Sequence, residues 1–149
     1  MADIYRSRTI AARPQEIWAV LADFGAIAQW AGNVDHSCIL NHGPDGGPVG
    51  TTRRVQVKRD ALVERLTEFD PPHALGYQIE GLPRRLRRVS NRWTLAVAGD
   101  ATTVTLISSV DIGARPAQRL AERVFCRFLA RQSEAMLAGL ADRLESARV

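Results

Sequence analysis

The sequence predicts an α+β fold in which a curved antiparallel sheet wraps around one long C-terminal helix. Seven segments show the alternation and the Thr, Val and Ile content of strands, and most are separated by short turns. After Pro116 the apolar residues recur with a helical period for about 30 residues, which corresponds to a helix roughly 45 Å long. A helix of this length can bury its apolar stripe only against a broad sheet.

The elements follow one another closely along the chain. The first strand is predicted over residues 4–11, and Pro14 suits the first turn of a helix because its missing N–H would be unpaired there. A second short helix is expected over residues 26–30, ended by Gly32. The other strands are predicted over residues 34–40, 50–58, 61–69, 75–80, 89–97 and 102–112. Short turns imply antiparallel pairing, and we expect one domain over residues 1–149.

Composition narrows the classes of protein. Hydrophobic residues make up 46% and charged residues 24% of the 149 residues, as in an ordinary globular domain. No apolar stretch approaches the ~20 residues that span a bilayer. Residues 1–8 hold no apolar run typical of a signal peptide, so a cytoplasmic location is expected. The net charge of +4 comes without a basic stripe interleaved with aromatic residues, so no nucleic-acid partner is expected.

The sequence carries no recognisable metal or cofactor motif. Cys38 and Cys126 match no metal-ligand spacing and are expected to be thiols in a reducing compartment. The histidines also lack metal-ligand spacing. The glycine-rich loop at 43–50 lacks the Gly-Lys-Ser/Thr ending of a phosphate loop, and there is no dinucleotide fingerprint. We therefore expect neither a metal nor a bound cofactor.

Short motifs along nearly the whole chain resemble those of a known superfamily. They are Pro-Gln-Glu-Ile-Trp at 14–18, Asp23-Phe24, Trp30, Val-Gly-Thr-Thr-Arg at 49–53, Glu64-Arg65-Leu66, and Asp70-Pro71-Pro72 followed by Tyr77. This set resembles the START-like or SRPBCC superfamily, and it is similar to the branch described as polyketide cyclase/dehydrase and lipid transport proteins. Plant abscisic acid receptors and Bet v 1-type proteins share the resemblance. It implies a Bet v 1-like helix-grip fold, with a cavity between sheet and helix for a lipid, a polyketide or a similar metabolite.

Strand alternation predicts which side chains face that cavity, because one face of each strand is mostly apolar and is taken as the inward one. From the sheet, the side chains expected to contact a ligand are His36, Arg53, Val55, Val57, Leu62, Glu64, Leu66, Tyr77, Ile79, Asn91, Trp93 and Leu106. From the helix, they are Leu120, Val124 and Phe128.

The polar inward residues carry the functional interpretation, since ligand pockets are apolar with a few polar anchors. Arg53 and Glu64 lie on adjacent predicted strands, and they either form a structural ion pair or orient a ligand. The resemblance to the hormone receptors matches Glu64 to a ligand-holding glutamate and puts His36 where they have a lysine. His36 is alternatively an interior or rim histidine. The receptors' Ser-Gly-Leu-Pro gate is missing, so hormone-receptor behaviour is not expected.

The mouth of the cavity is predicted near Trp30, Arg84 and Arg85. The run Arg-Arg-Leu-Arg-Arg at 84–88 contains no acid, and it is either a solvated loop or a receptor for an anionic group at the mouth. Trp30 either covers the mouth or packs in the core. Contact with a membrane surface would be transient at most.

Three functions remain open. The leading hypothesis is a binding protein for a small hydrophobic or amphipathic molecule. The alternative is an aromatase/cyclase-type enzyme, in which Arg53 polarises a carbonyl and His36, Tyr77 or Glu64 moves protons. The third is an interaction module. One polar group in the cavity would favour carriage, and several converging titratable groups would favour catalysis.

Overall fold

The computed structural model describes residues 2–81, 88–111 and 116–146, and the side chains of 116–122 lie outside that description. The chain begins with strand β1 (Ala2–Ile10), helix α1 (Pro14–Ala22) and a short 3-10 helix (Phe24–Gln29). The next strands are β2 (His36–Asn41), β3 (Thr52–Val57), β4 (Asp60–Asp70), β5 (Ala74–Glu80), β6 (Arg88–Ala98) and β7 (Ala101–Asp111). The long helix α2 covers Pro116–Ser146.

The strands form one seven-stranded antiparallel sheet in the order β1-β7-β6-β5-β4-β3-β2. From β2 to β7 each strand pairs with the next in the chain, and β1 completes the sheet beside β7. Helix α2 contacts β1 and β7. The predicted α+β fold, with a long C-terminal helix and short helices after the first strand, is confirmed.

The core lies between one face of the sheet and the helices. In β7 buried and half-buried residues alternate along the whole strand, and Val104, Leu106 and Val110 are buried. Helix α2 contributes Leu137 and Leu140, which are fully buried one turn apart.

The short helices are fixed to the sheet by specific contacts. Pro14 occupies the first turn of α1 as expected, and Ile17 of that helix is fully buried. The hydroxyl of Thr102 in β7 donates a 2.7 Å hydrogen bond to the carbonyl of Ala12, just before the helix. These contacts hold α1 against the sheet.

A bulge in β4 changes which residues face the core. Leu66 pairs with Tyr77, but the next partners, Glu68 and Gly76, are offset by one residue. Before the bulge Glu64 and Leu66 are buried. After it Phe69 packs edge-on against Trp18 of α1, with ring centroids 5.1 Å apart.

The inward face of β2 differs from the prediction. Residues directly opposite on paired strands share a face, and Ser37 lies opposite Val55, which is buried. The Ser37 hydroxyl accepts a 3.0 Å hydrogen bond from the Ala28 N–H and donates a 2.8 Å bond to the Gly25 carbonyl. Ser37, rather than His36, therefore faces the interior.

The error has a local cause. The prediction began this strand at residue 34, took the apolar Val34 as inward and alternated from there to His36, but β2 begins at His36. Val34 lies before the strand and is buried there independently of its alternation. Extending the alternation from Val34 reversed the two faces of the strand.

Candidate functional site

A pocket of about 390 Å³ lies between the sheet and α2. The sheet lines it with Val55, Val57, Leu62, Glu64, Tyr77, Ile79, Val89, Asn91 and Ser108. Helix α2 lines it with Phe125, Phe128, Leu129, Gln132, Ser133 and Met136. The start of β4 adds Asp60 and Ala61, and the rest of the lining comes from Ile27, Asn33, Val34 and Gly81.

Many of the residues predicted to contact a ligand line this pocket. They are Val55, Val57, Leu62, Glu64, Tyr77, Ile79, Asn91 and Phe128. Strand alternation brings the sheet residues together, because β3 to β6 are neighbours and present the predicted faces to the same side.

Four predicted residues are buried in the core outside the lining: Arg53, Leu66, Trp93 and Leu106. They share the inward face of the sheet, as predicted, but they are not part of the lining. Two of them support lining residues directly, since Arg53 contacts Glu64 and Trp93 contacts Tyr77.

His36 is exposed and does not line the pocket, so its predicted position on the cavity wall is wrong. The structure places it on the outer face of β2. Val124, predicted as part of the cavity floor, is also wrongly placed, because 65% of its side chain is exposed and it is absent from the lining.

The side of α2 that lines the pocket is adjacent to the side predicted from Leu120, Val124 and Phe128. Phe125, Leu129, Ser133 and Met136 follow one another at helical spacing on that face. Phe128 lies at the border of the pocket and is half exposed. Two adjacent sets of apolar residues recur at helical spacing on α2, one through Val124 and one through Phe125. Periodicity alone does not show which set lines a pocket and which faces solvent.

Trp30 packs in the core and does not line the pocket mouth. Its ring packs edge-on against that of Trp93, with ring centroids 5.8 Å apart, and Trp30 is only 8% exposed. Its backbone carbonyl lies directly against Gly139 of α2. The remaining predicted positions fall outside the described residues: the Leu120 side chain, and Arg84 and Arg85.

Arg53 and Glu64 form a buried ion pair between β3 and β4. Nε and Nη2 of Arg53 lie 2.8 and 2.7 Å from the same carboxylate oxygen, Oε1. Nη1 donates a 2.8 Å hydrogen bond to the carbonyl of Phe24. The guanidinium carbon lies 3.7 Å from the Phe24 ring centre and 4.5 Å from that of Tyr77. Arg53 is thus held by Glu64, the Phe24 carbonyl and two aromatic rings, and its Nη2 meets Glu64 as an ion-pair contact without a hydrogen bond of its own. These contacts support the structural interpretation of this pair.

A chain of polar side chains crosses the pocket from α2 to β5. Ser133 lies 3.4 Å from Ser108, oxygen to oxygen, and Ser108 donates a 2.6 Å hydrogen bond to Oδ1 of Asn91. So short a distance is typical of O–H···O geometry, which favours this orientation of the amide. Nδ2 of Asn91 then donates to the Tyr77 hydroxyl at 3.4 Å, and Nε1 of Trp93 donates to the same oxygen at 3.3 Å.

Tyr77 is a neutral phenol in this setting. Burial raises the pKa of Tyr77, the negative charge of Glu64 raises it further, and the charge of Arg53 and the two N–H donors oppose the shift. The hydroxyl therefore keeps its proton through the physiological range. A neutral hydroxyl can donate one hydrogen bond and accept two.

A second polar contact joins two residues of the lining. Nδ2 of Asn33, in the loop before β2, donates to Oε1 of Gln132 on α2. Both residues line the pocket, and neither was singled out from the sequence. No sequence signal connects two amides that are 99 residues apart. Ser133 and Gln132 could be predicted as lining residues only if the side of α2 that faces the pocket were known.

The described residues contain no group of three or more His, Cys, Asp or Glu side chains arranged to hold a metal ion. Cys38 and Cys126 are not joined in a disulfide. Among the described helices, none is long and apolar enough to cross a membrane.

Known structures share this fold. The aromatase/cyclase Zhui from Streptomyces sp. R1128 superposes with a TM-score of 0.79 at 19% identity, over 97% of this chain and 93% of that one. A START superfamily protein from Mycobacterium smegmatis gives 0.70 at 17% identity, over 97% and 98%. The di-domain aromatase/cyclase StfQ of the steffimycin pathway gives 0.80 at 12% identity, over 98% of this chain and 51% of that one.

These identities are low enough that the likeness concerns the fold alone. No curated protein matches the sequence. The family model described as "Polyketide cyclase / dehydrase and lipid transport" matches residues 1–145, which is nearly the whole chain. The seven-stranded sheet, the long helix and this match agree with one another. The chain belongs to the polyketide cyclase/dehydrase and lipid transport family.

Proposed function

We propose that this protein binds a small hydrophobic or amphipathic molecule in the pocket between its sheet and α2. The observation that carries the proposal is the pocket itself, about 390 Å³ in volume with a mostly apolar wall. Pockets of ~300–1,000 Å³ with apolar walls and a few polar groups are typical of small-molecule sites.

The apolar wall supplies the affinity. Val57, Leu62, Ile79, Leu129 and Met136 come from β3, β4, β5 and α2, so a guest between them loses contact with water on several sides. Burial of apolar area contributes about 25 cal/mol per Å² before the costs of association. Such a wall favours apolar guests as a class and discriminates weakly among them.

The polar part of the lining orients the guest. Glu64, Tyr77, Asn91, Ser108 and Ser133 lie together where the sheet approaches the middle of α2. An entirely apolar guest would leave these groups facing hydrocarbon, which is unfavourable. A guest with one polar end and one apolar end satisfies both parts of the pocket.

Native mass spectrometry of the protein purified from its own host tests the proposal, with a retained small molecule as the expected result. The variant Ile79→Trp, which fills the pocket from β5, should lose the retained mass. Val97→Trp is the matched control, because Val97 is 72% exposed and lies outside the lining. Equal retention by both variants would count against the pocket as the site.

Catalysis of an aromatase/cyclase type is the second candidate. The family description and the two aromatase/cyclase relatives support it, and so do two titratable lining groups, Glu64 and Tyr77. Of the roles assigned from the sequence, those of Arg53 and His36 lose support, because the protein's own groups surround Arg53 and His36 lies outside.

Glu64 and Tyr77 together are sufficient for a cyclisation reaction. Glu64 takes a proton from a carbon between two ketones, and that carbon attacks a second carbonyl carbon, forming a C–C bond. Tyr77 donates a hydrogen bond to the developing alkoxide, which is then protonated from Glu64. The cyclic alcohol then loses its hydroxyl and a neighbouring hydrogen as water, which forms a C=C bond in the ring. No oxidant or reductant is needed.

A linear poly-β-ketone thioester tests this candidate. Catalysis predicts a cyclic product lighter by one water, formed faster than the spontaneous reaction and slowed in Tyr77→Phe. Tyr5→Phe is the control, since Tyr5 is exposed on β1. A rate equal to the background with the wild-type protein would leave binding as the function.

A further inference from the structure

The hydroxyl of Tyr77 is occupied as an acceptor and unoccupied as a donor. Asn91 and Trp93 both donate N–H groups to its oxygen, at 3.4 and 3.3 Å, which uses both lone pairs. Within the part of the chain that the structure describes, no oxygen accepts a hydrogen bond from this hydroxyl. Its hydrogen therefore remains available on a side chain that is 2% exposed and lines the pocket.

The polar chain behind Tyr77 fixes this arrangement. Because Ser108 donates to Asn91 over 2.6 Å, the amide presents its N–H₂ group to Tyr77 and not its oxygen. The indole N–H of Trp93 can only donate. Neither neighbour can take the phenolic hydrogen, so a guest in the pocket is the acceptor that remains.

The charges of the lining discriminate against anions. Among the described residues that line the pocket, the charged ones are Asp60 and Glu64, both acidic. The nearest buried cation, Arg53, already holds Glu64 and the Phe24 carbonyl. Beside Glu64, a carboxylate in the pocket would find no cation among the described lining residues to compensate its charge.

We propose that Tyr77 is the specificity-determining hydrogen-bond donor of this pocket, which selects uncharged guests carrying an acceptor oxygen, such as a ketone, a lactone or an ether, over hydrocarbons and carboxylates. The inference rests on the proposed binding function and deepens it by naming the chemical class of the guest. Tyr77 orients the guest by its oxygen, and the apolar wall holds the remainder.

Three probes of nearly the same shape separate the contributions: 1-indanone, indane and indane-1-carboxylate. Their dissociation constants are measured by NMR titration, following the Trp93 indole N–H, which reports on the Tyr77 oxygen. The wild-type protein should bind 1-indanone tightest and the carboxylate weakest of the three. The preference for the ketone over indane should fall by about two- to tenfold in Tyr77→Phe, the range expected for one hydrogen bond.

The controls separate this inference from the binding function. Tyr5→Phe should keep the wild-type preference, and Tyr77→Phe should bind indane at least as tightly as the wild type does. If the ketone preference survives in Tyr77→Phe, or is absent in the wild type, the inference is wrong while binding stands. If neither 1-indanone nor indane binds the wild-type protein, the binding function fails and the inference fails with it.

A second measurement does not depend on a variant that folds. The carbonyl stretching band of 1-indanone bound to the wild-type protein should move to lower wavenumber than in a hydrocarbon solvent, because a hydrogen bond weakens the C=O bond. A bound ketone with an unshifted band would overturn the assignment of Tyr77 as the donor.

Discussion

Arg53 and Glu64 lie directly opposite each other on β3 and β4, and two nitrogens of the guanidinium converge on one oxygen of the carboxylate. Their side chains are only 3% and 8% exposed. Both charges are therefore held away from water, and each depends on the other for its compensation.

Replacing Glu64 by Gln should destabilise the fold strongly, because the charge of Arg53 would stay buried without a partner. Breaking a buried pair in this way costs about 3–5 kcal/mol of unfolding free energy. Urea unfolding of Glu64→Gln measures the loss. Glu68→Gln is the matched control, since Glu68 pairs with Arg92 at 2.8 Å with side chains 39% and 49% exposed. An exposed pair contributes about 0–1 kcal/mol, so equal losses in the two variants would contradict the prediction.

The raised pKa of Tyr77 predicts a loss of stability in alkaline solution. In the unfolded chain the phenol ionises near its ordinary pKa of about 10, whereas burial and Glu64 keep it protonated in the fold. Its stabilising contribution is therefore complete below pH ~10 and is lost as the pH rises toward the folded pKa.

Urea unfolding of the wild type and Tyr77→Phe at pH 8, 10 and 11 checks this expectation. The stability difference between them should shift in favour of the Phe variant as the pH rises, by at most about 1.4 kcal/mol per pH unit. Tyr5→Phe, at an exposed tyrosine of β1, serves as the control for the loss of one hydroxyl. A difference that stays constant with pH would show that Tyr77 ionises equally in both states.

Ser37→Ala should destabilise the attachment of the 3-10 helix to β2. The hydroxyl accepts from the Ala28 N–H and donates to the Gly25 carbonyl, so its removal leaves two backbone groups without this partner. Loss of such bonds costs about 1–3 kcal/mol when the groups are buried. His36→Ala, one residue away on the exposed face, should cost less than about 0.5 kcal/mol. If thermal unfolding ranked the two variants in the opposite order, the assigned faces of β2 would be wrong.

Gly139→Ala should destabilise the protein, although alanine favours helices over glycine by about 1 kcal/mol. A Cβ at this position would overlap the carbonyl oxygen of Trp30, so α2 and the preceding loop would have to separate. Overpacking of this kind costs about 1–3 kcal/mol. Thermal unfolding measures the sign of the effect, and an increase in melting temperature would show that the contact yields easily.

The fold was predictable because its signals are local and repeated. In β7 the alternation of Val104, Leu106, Ser108 and Val110 identifies the inward face without knowledge of any neighbour. Each of the predicted strands and the long helix overlaps its observed counterpart. The pairing of Arg53 with Glu64 was also accessible, because adjacent strands with opposite charges on the inward face suggest such a pair.

The rest of the pocket depends on relationships that the sequence does not contain. The rotation of α2 decides that Phe125 and Leu129 line the pocket while Val124 is exposed, and two adjacent apolar columns fit the same periodicity. The contact of Asn33 with Gln132 requires the placement of a loop against a distant helix. The predicted position of His36 was wrong for a local reason. The buried Val34 lies before β2, and counting the alternation from it assigned the wrong face to His36.

The bulge in β4, with its one extra residue, separates the strand into two parts that can be substituted independently. Before the bulge, Leu62 and Glu64 line the pocket; beyond it, Phe69 anchors α1 through Trp18. Substitutions in the first half can reshape the pocket while the anchor of α1 keeps its packing. If the same residues paired regularly, without the bulge, strand alternation would leave Leu62 and Glu64 facing inward and would turn Phe69 outward, away from Trp18.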